Sequence, residues 1–144
     1  ISPDDSRFGW NQKDKIIALG LDVQIDHHDY LQSISRASLI ISDNAYTTFF
    51  EAIAANIPVF LFLNEDMWSI NKDAFLLFQE MEMVGMYRSN PESAARQVDI
   101  ISLNVKSWWN SNKVVQVRNK ILNKYARGQD NIADLFVDKI INDS

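Results

Sequence analysis

Along the stretch from Ala37 to Leu63, ASLIISDNAYTTFFEAIAANIPVFLFL, the spacing of apolar residues changes from strand-like to helical and back. Leu39, Ile40 and Ile41 form an apolar run that is too short for a helix and rich in β-branched residues, which predicts a strand. Ser42, Asp43 and Asn44 end that run, because their short polar side chains compete for backbone hydrogen bonds and start a turn. From Thr47 the period becomes helical: Phe49, Phe50, Ile53 and Ala54 share a stripe, while Glu51 and Asn56 lie off it. Asn56 closes this helix one residue before Ile57-Pro58, which cannot continue it. Val59 to Leu63 is continuously apolar, as expected of a parallel strand covered on both faces.

The flanking segments alternate in the same manner. Ile16 to Leu19 reads as a short helix or turn, and Val23 to Ile25 as a strand ending at Asp26. Asp29 can cap a helix through Ala37 with Tyr30, Leu31 and Ile34 on its apolar side. Asn64 to Ser69 is a polar loop, and Asn71 to Met83 an amphipathic helix carrying Phe75, Leu76, Phe78 and Met81, ended by Gly85. Met86 to Arg88 predicts a short edge strand, and Asn90-Pro91-Glu92 a helix start with proline at the first helical position. The remainder is helical: Ser93 to Leu103, a Trp108-Trp109 segment, Val114 to Tyr125 and Ile132 to Ile141. The order implies an α/β class, a small parallel sheet flanked by helices with a helical C-terminal third.

A strand, tight turn, helix and parallel strand make a right-handed crossover, and ligands of such sheets bind beyond the carboxyl ends of the strands. The turn Ser42 to Thr48 sits there. A helix opening at that point offers free backbone N–H groups and the positive end of a dipole, beside the hydroxyls of Thr47 and Thr48, a constellation suited to a phosphate. The same residues also allow a plainer reading. One threonine can be the N-cap, and Thr48 and Glu51 have the spacing of a capping box.

Composition narrows the classes. With 144 residues and 47% hydrophobic content the chain reads as a single domain over residues 1–144 with a real core. No cysteine is present, which removes disulfides and thiolate chemistry. A net charge of -5 argues against a generic nucleic-acid surface, because backbone binding needs clustered Lys and Arg. No apolar run approaches the roughly 20 residues of a membrane span, and no signal peptide is visible. The chain starts at Ile1 instead of Met, which suggests a piece of a longer protein. The four glycines, Gly9, Gly20, Gly85 and Gly128, form no Gly-x-Gly-x-x-Gly, which argues against a dinucleotide-dependent oxidoreductase.

The order of TTFFEAIAANIP, loop, helix, glycine turn and NPESAA helix resembles the C-terminal half of GT-B glycosyltransferases. Taken together, RFGWNQ, TTFFEAIAANIP and SWWNS resemble a family of transferases from bacterial surface-polysaccharide and O-antigen gene clusters. The resemblance covers nearly the whole chain. It implies a Rossmann-like donor domain whose partner, an N-terminal acceptor domain, lies outside this sequence, with a nucleotide-sugar donor linked through CMP or UDP. It also implies that Thr47 and Thr48 hold the donor phosphate, that Asn44 shares their turn, and that Glu51 reaches the nucleotide ribose. Cytidine-nucleotide relatives carry a His-Pro pair on an earlier loop, whereas this chain has His27-His28-Asp29. The implied setting is cytoplasmic, with peripheral association at the inner face of the bacterial membrane left open. No cofactor is implied, and the base or nucleophile for the acceptor falls to the missing half.

The remaining candidates are read from residue chemistry. Arg7, followed by Phe8 and Gly9, can clamp a phosphate or carboxylate bidentately, or be a solvated arginine. His28 is either one side of a nucleotide pocket or part of a solvated loop. Adjacent His27 and His28 point apart and lack further ligands, so no metal site is assigned. Asn64, with Glu65 and Trp68, borders the sugar or base from the loop after the second strand of the crossover. At least one of Trp108 and Trp109 belongs to the core, and Lys113, Arg118, Lys120, Lys124 and Arg127 form a solvated basic face opposite Val114, Val117, Ile121 and Leu122. Two other functions share these features: a nucleotide-sugar epimerase of related fold, and a non-catalytic nucleotide- or carbohydrate-binding module.

Overall fold

Short apolar runs build a 3-stranded sheet in which β1 (Ile40–Ser42), β2 (Val59–Phe62) and β3 (Tyr87–Arg88) lie in the order β1-β2-β3 and pair in parallel. The computed structural model describes residues 18–20, 29–64 and 70–125. The chain divides into two compact units, Ile1–Arg36 and Ala37–Ser144. In the first, α1 (Tyr30–Arg36) starts at the cap expected from the sequence, with the Gln32 amide donating to Asp29 Oδ1 at 2.9 Å. None of its residues is buried, Tyr30, Leu31 and Ile34 included. The strand expected at Val23 to Ile25 and the helix at Ile132 to Ile141 lie outside the described residues.

In the second unit the central strand decides the layering. Val59, Phe60 and Leu61 are each 0% exposed, so both faces of β2 are covered, as its continuous apolar run requires. Val59 and Leu61 face a core made with Phe49, Ala52 and Ile53 of α2 (Thr47–Ala54), Leu77 and Met81 of α3 (Lys72–Met83), and Val114, Val117 and Ile121 of α6 (Asn112–Tyr125). Phe60 alternates to a second cluster with Ala94 and Ile101 of α4 (Pro91–Ser102), beside Val105 of α5 (Val105–Trp109).

The helix ends follow the sequence closely. Asn71 caps α3 by accepting the Asp73 amide, and Asn90 caps α4 by accepting those of Glu92 and Ser93, with Pro91 in the first turn. Gly85 follows α3 at φ 73°, a left-handed backbone that favours glycine, and a Cβ there would meet Gln97 Nε2 at 2.5 Å and displace that side-chain amide. Gln97 is held in turn by Arg88, whose Nη2 donates to its Oε1 at 2.6 Å. The buried face of α3 differs from the expectation. Leu77 and Met81 are buried four residues apart, while Phe75 and Leu76 are 51% and 72% exposed, because two adjacent apolar residues cannot both face the sheet.

The C-terminal helices are fastened to the sheet through indole N–H groups. Trp108 Nε1 donates to the Val84 carbonyl at 3.0 Å, and its ring packs against both clusters. Trp109 is 2% exposed and donates to Asn56, at 3.0 Å to Oδ1 and 3.2 Å to the carbonyl. Asn56 adopts φ 57° just past α2, a left-handed conformation that Asn tolerates better than most residues. Its Oδ1 also accepts from Arg118 Nη1, and the guanidinium carbon lies 4.1 Å from the centroid of the Trp109 ring.

This corrects the reading of a solvated basic face on α6. Arg118 is 9% exposed and buried beneath Trp109, and desolvation lowers its pKa from the ordinary 12.5. The neighbouring basic residues behave as surface groups. Lys113 is exposed, Lys120 pairs with Glu80 at 2.7 Å, and Lys124 donates to the Asp73 carbonyl. Arg127 lies outside the described residues.

Because Arg118 meets no carboxylate among the described residues and its Nε has no partner, its charge is a stability cost that Asn56 only offsets. Asn56→Gly, which keeps the left-handed backbone accessible, is expected to lower unfolding stability in urea by about 1–3 kcal/mol through the unpaired guanidinium. Arg118→Met is expected to stay within about 1 kcal/mol of the parent. In the Arg118→Met background Asn56→Gly should cost less; an equal cost in both backgrounds would show that the two residues are not coupled.

Candidate functional site

The carboxyl ends of the parallel strands define one edge of the sheet, and the turn between β1 and α2 leaves from it. Ser42, the last residue of β1, pairs with Leu61 and is 6% exposed. Its buried hydroxyl donates to the Asn44 carbonyl at 2.7 Å, folding the turn back on the strand end. Asn44 Oδ1 accepts the Tyr46 amide at 3.3 Å and its Nδ2 donates to Asp43 Oδ1 at 2.9 Å. These are short-range bonds that three small polar side chains make most easily. They fix the direction in which α2 begins.

α2 starts without a side-chain cap. Its N-cap is Tyr46, with extended backbone and no capping bond from the side chain, so the plainer alternative, in which a threonine is the N-cap, does not hold. Thr47 and Thr48 instead occupy the first two helical positions, where backbone amides have no intrahelical acceptor. The Phe49 and Phe50 amides bond back to the Tyr46 carbonyl, and no acceptor is found among the described residues for those of Thr47 and Thr48. Thr47 is exposed and Thr48 half-buried. Two amides and two hydroxyls are thus gathered at the positive end of a helix, at the strand edge where a doubly covered parallel sheet receives ligands. The arrangement can receive an anion without rearranging the backbone.

The other sequence candidates are placed as follows. Asn44 is in the same turn, with its side-chain oxygen engaged by the Tyr46 amide. Glu51 lies one helical turn beyond Thr47 and is half-buried. Asn64 follows β2 on the same edge, two residues past Phe62, and is half-buried. Arg7, His28, Glu65 and Trp68 lie outside the described residues. Arg88 ends β3 on this edge, but its Nη1 donates to the carbonyls of Glu82 and Tyr87, each at 2.7 Å. It is a brace between α3, β3 and α4. Ser42, Asp43 and Asn44 form the turn that the sequence predicts; what sequence reasoning missed is Tyr46 as the N-cap residue, which carries no capping side chain.

A family model described as LIC12162 family transferase matches residues 3–140. The match spans nearly the whole chain, and the chain belongs to that family. No curated protein and no solved structure matches it. Among the described residues no helix is long and apolar enough to cross a membrane.

Ser42→Ala removes the buried hydroxyl that closes the turn. The expected result is a stability loss of about 1 kcal/mol together with faster hydrogen exchange at the Tyr46 amide. Unchanged exchange there would mean that the Asn44 side chain holds the turn without Ser42.

Proposed function

We propose that this member of the LIC12162 transferase family is the donor-binding half of a metal-independent glycosyltransferase, acting in the biosynthesis of a bacterial surface polysaccharide such as O-antigen or capsule. One observation carries the reading: the open N-terminus of α2, with the Thr47 and Thr48 amides unsatisfied among the described residues, set on the carboxyl edge of a parallel sheet.

In this reading the donor is a CMP- or UDP-linked sugar whose phosphate rests on the α2 terminus. Negative charge grows on that phosphate as the bond to the sugar breaks. Amides and hydroxyls already fixed by the Ser42–Asn44 turn stabilise it without reorganising at the moment of transfer. Glu51 takes the ribose and Asn64 borders the sugar or base, while Asn44 acts through the shape of the turn. The acceptor and the residue that activates it belong to an N-terminal half outside this sequence, so this half binds donor and stabilises the leaving group. The reaction is placed in the cytoplasm, at the inner face of the membrane.

Calorimetric titration of the chain with CMP, UDP, GDP and ADP tests the reading. Selective binding of CMP or UDP is the expected outcome. Thr47→Val with Thr48→Val removes hydrogen bonds to a charged phosphate worth about 1.5–3 kcal/mol each, so affinity should fall by roughly a hundredfold or more. Both positions lie outside the buried core, and the fold should hold. Unchanged affinity in the folded double variant would remove the phosphate site.

A further inference from the structure

The opposite edge of the sheet, where the strands begin, holds an open, largely apolar pocket of about 300 Å³ to which Pro58, Val105 and Trp109 contribute. Ser38 precedes β1, and Asn56 and Pro58 precede β2; Lys106, Trp109 and Asn110 close it from α5 and the residue that follows. The volume lies at the small end of the range for small-molecule sites.

Its polar groups are biased toward donors. Trp109 Nε1 and Arg118 Nη1 can only donate, and both donate to Asn56 Oδ1. Asn56 therefore must place its amide oxygen toward them, which leaves the two N–H groups of Nδ2 without a partner among the described residues. Lys106 Nζ is exposed and makes no ion pair among them, and the Ser38 hydroxyl has no partner there either. The lining holds no carboxylate.

Behind the wall stands a charge that meets no carboxylate among the described residues. Arg118 touches two lining residues, Asn56 and Trp109, and is 9% exposed. Its Nε is buried with no acceptor, and no acidic side chain meets it among the described residues. Buried charges are ordinarily paired, and one compensated only by an amide oxygen and an aromatic face is left electrostatically unfinished. An anion in the adjoining cavity would supply the missing charge.

We propose that this amino-edge cavity is a binding site for a small oxyanion, a phosphate or carboxylate group, received by Asn56 Nδ2, Ser38 Oγ and Lys106 Nζ with the Arg118 guanidinium as supporting charge. The site is separate from the α2 terminus on the other edge, and its existence does not depend on the donor-binding reading. A free inorganic anion and the phosphate or carboxylate of a larger metabolite present the same chemistry.

The test is a nitrogen–proton correlation spectrum of the whole chain, following the Trp109 indole N–H and the Asn56 side-chain amide. Inorganic phosphate and acetate are titrated separately, against sodium chloride at matched ionic strength. The expected result is a saturable shift of both signals with phosphate, acetate or both. Phosphate alone would identify a phosphate site, acetate alone a carboxylate site. Lys106→Gln, an exposed change, should weaken binding roughly tenfold by removing a charge-assisted contact. Asn56→Asp should abolish binding, because it gives Arg118 a carboxylate partner and removes the two donors. The proposal is overturned by the absence of a saturable shift with either anion, by an equal shift with chloride, or by unchanged affinity in folded Lys106→Gln.

Discussion

Asn56 is the point on which the second unit turns. Its left-handed backbone ends α2 and sends the chain into the central strand, while its side chain accepts from Trp109 of α5 and Arg118 of α6. Those residues are 53 and 62 positions away in sequence, so one amide oxygen joins the crossover to the C-terminal helices. Removing that oxygen would leave the Arg118 guanidinium without an acceptor among the described residues, while the indole N–H would keep only the Asn56 carbonyl. The apolar clusters supply the bulk of the burial. The polar junction fixes which helix meets which end of the sheet.

The two edges of that sheet carry different kinds of polar group. On the amino side, Asn56 accepts from Trp109 and Arg118, while Arg118 Nε keeps no partner. On the carboxyl side, Ser42 and Asn44 spend their hydrogen bonds within their own turn, and the amides of Thr47 and Thr48 meet no acceptor among the described residues. The last helix reaches both sides: Arg118 meets Asn56 before β2, while Lys124 donates to the Asp73 carbonyl and Tyr125 packs on Phe50 in the first turn of α2.

What could be read from the sequence was set by local chemistry. β1 and β2 were legible because β-branched and aromatic runs were bounded by turn residues and by Ile57-Pro58, and the starts of α3 and α4 because Asn71 and Asn90 cap by bonds that span two or three residues. Which residues of α3 face the sheet was not legible. Phe75, Leu76, Leu77 and Phe78 are adjacent and apolar, and only the position of the sheet selects Leu77. Arg118 was misread for a related reason. Its spacing relative to Lys113, Lys120 and Lys124 resembles a solvated stripe, and nothing near it in sequence announces an indole and an amide oxygen brought from α5 and the end of α2. At the candidate site the polar turn was visible but its cap was not, because Tyr46 has no capping chemistry for a sequence reader to find.

That missing cap bears on function. An N-cap of Ser, Thr, Asn or Asp stabilises a helix by about 1 kcal/mol relative to residues that cannot cap, and α2 forgoes it although Asp43 and Asn44 lie close by in the turn. A helix of 8 residues would not persist alone in water. It persists here because Phe49, Ala52 and Ile53 are pressed into the core and Ser42 holds the preceding turn. Tertiary packing thus replaces the cap, and the terminal amides meet no acceptor among the described residues. In the proposed donor complex the phosphate takes the place of the absent cap, so the binding energy would come from groups that folding has already positioned and left unsatisfied. The same logic sets the Thr47 and Thr48 hydroxyls apart from the core-facing side of the helix: they add donors at the terminus while Phe49 and Ile53 keep it in place.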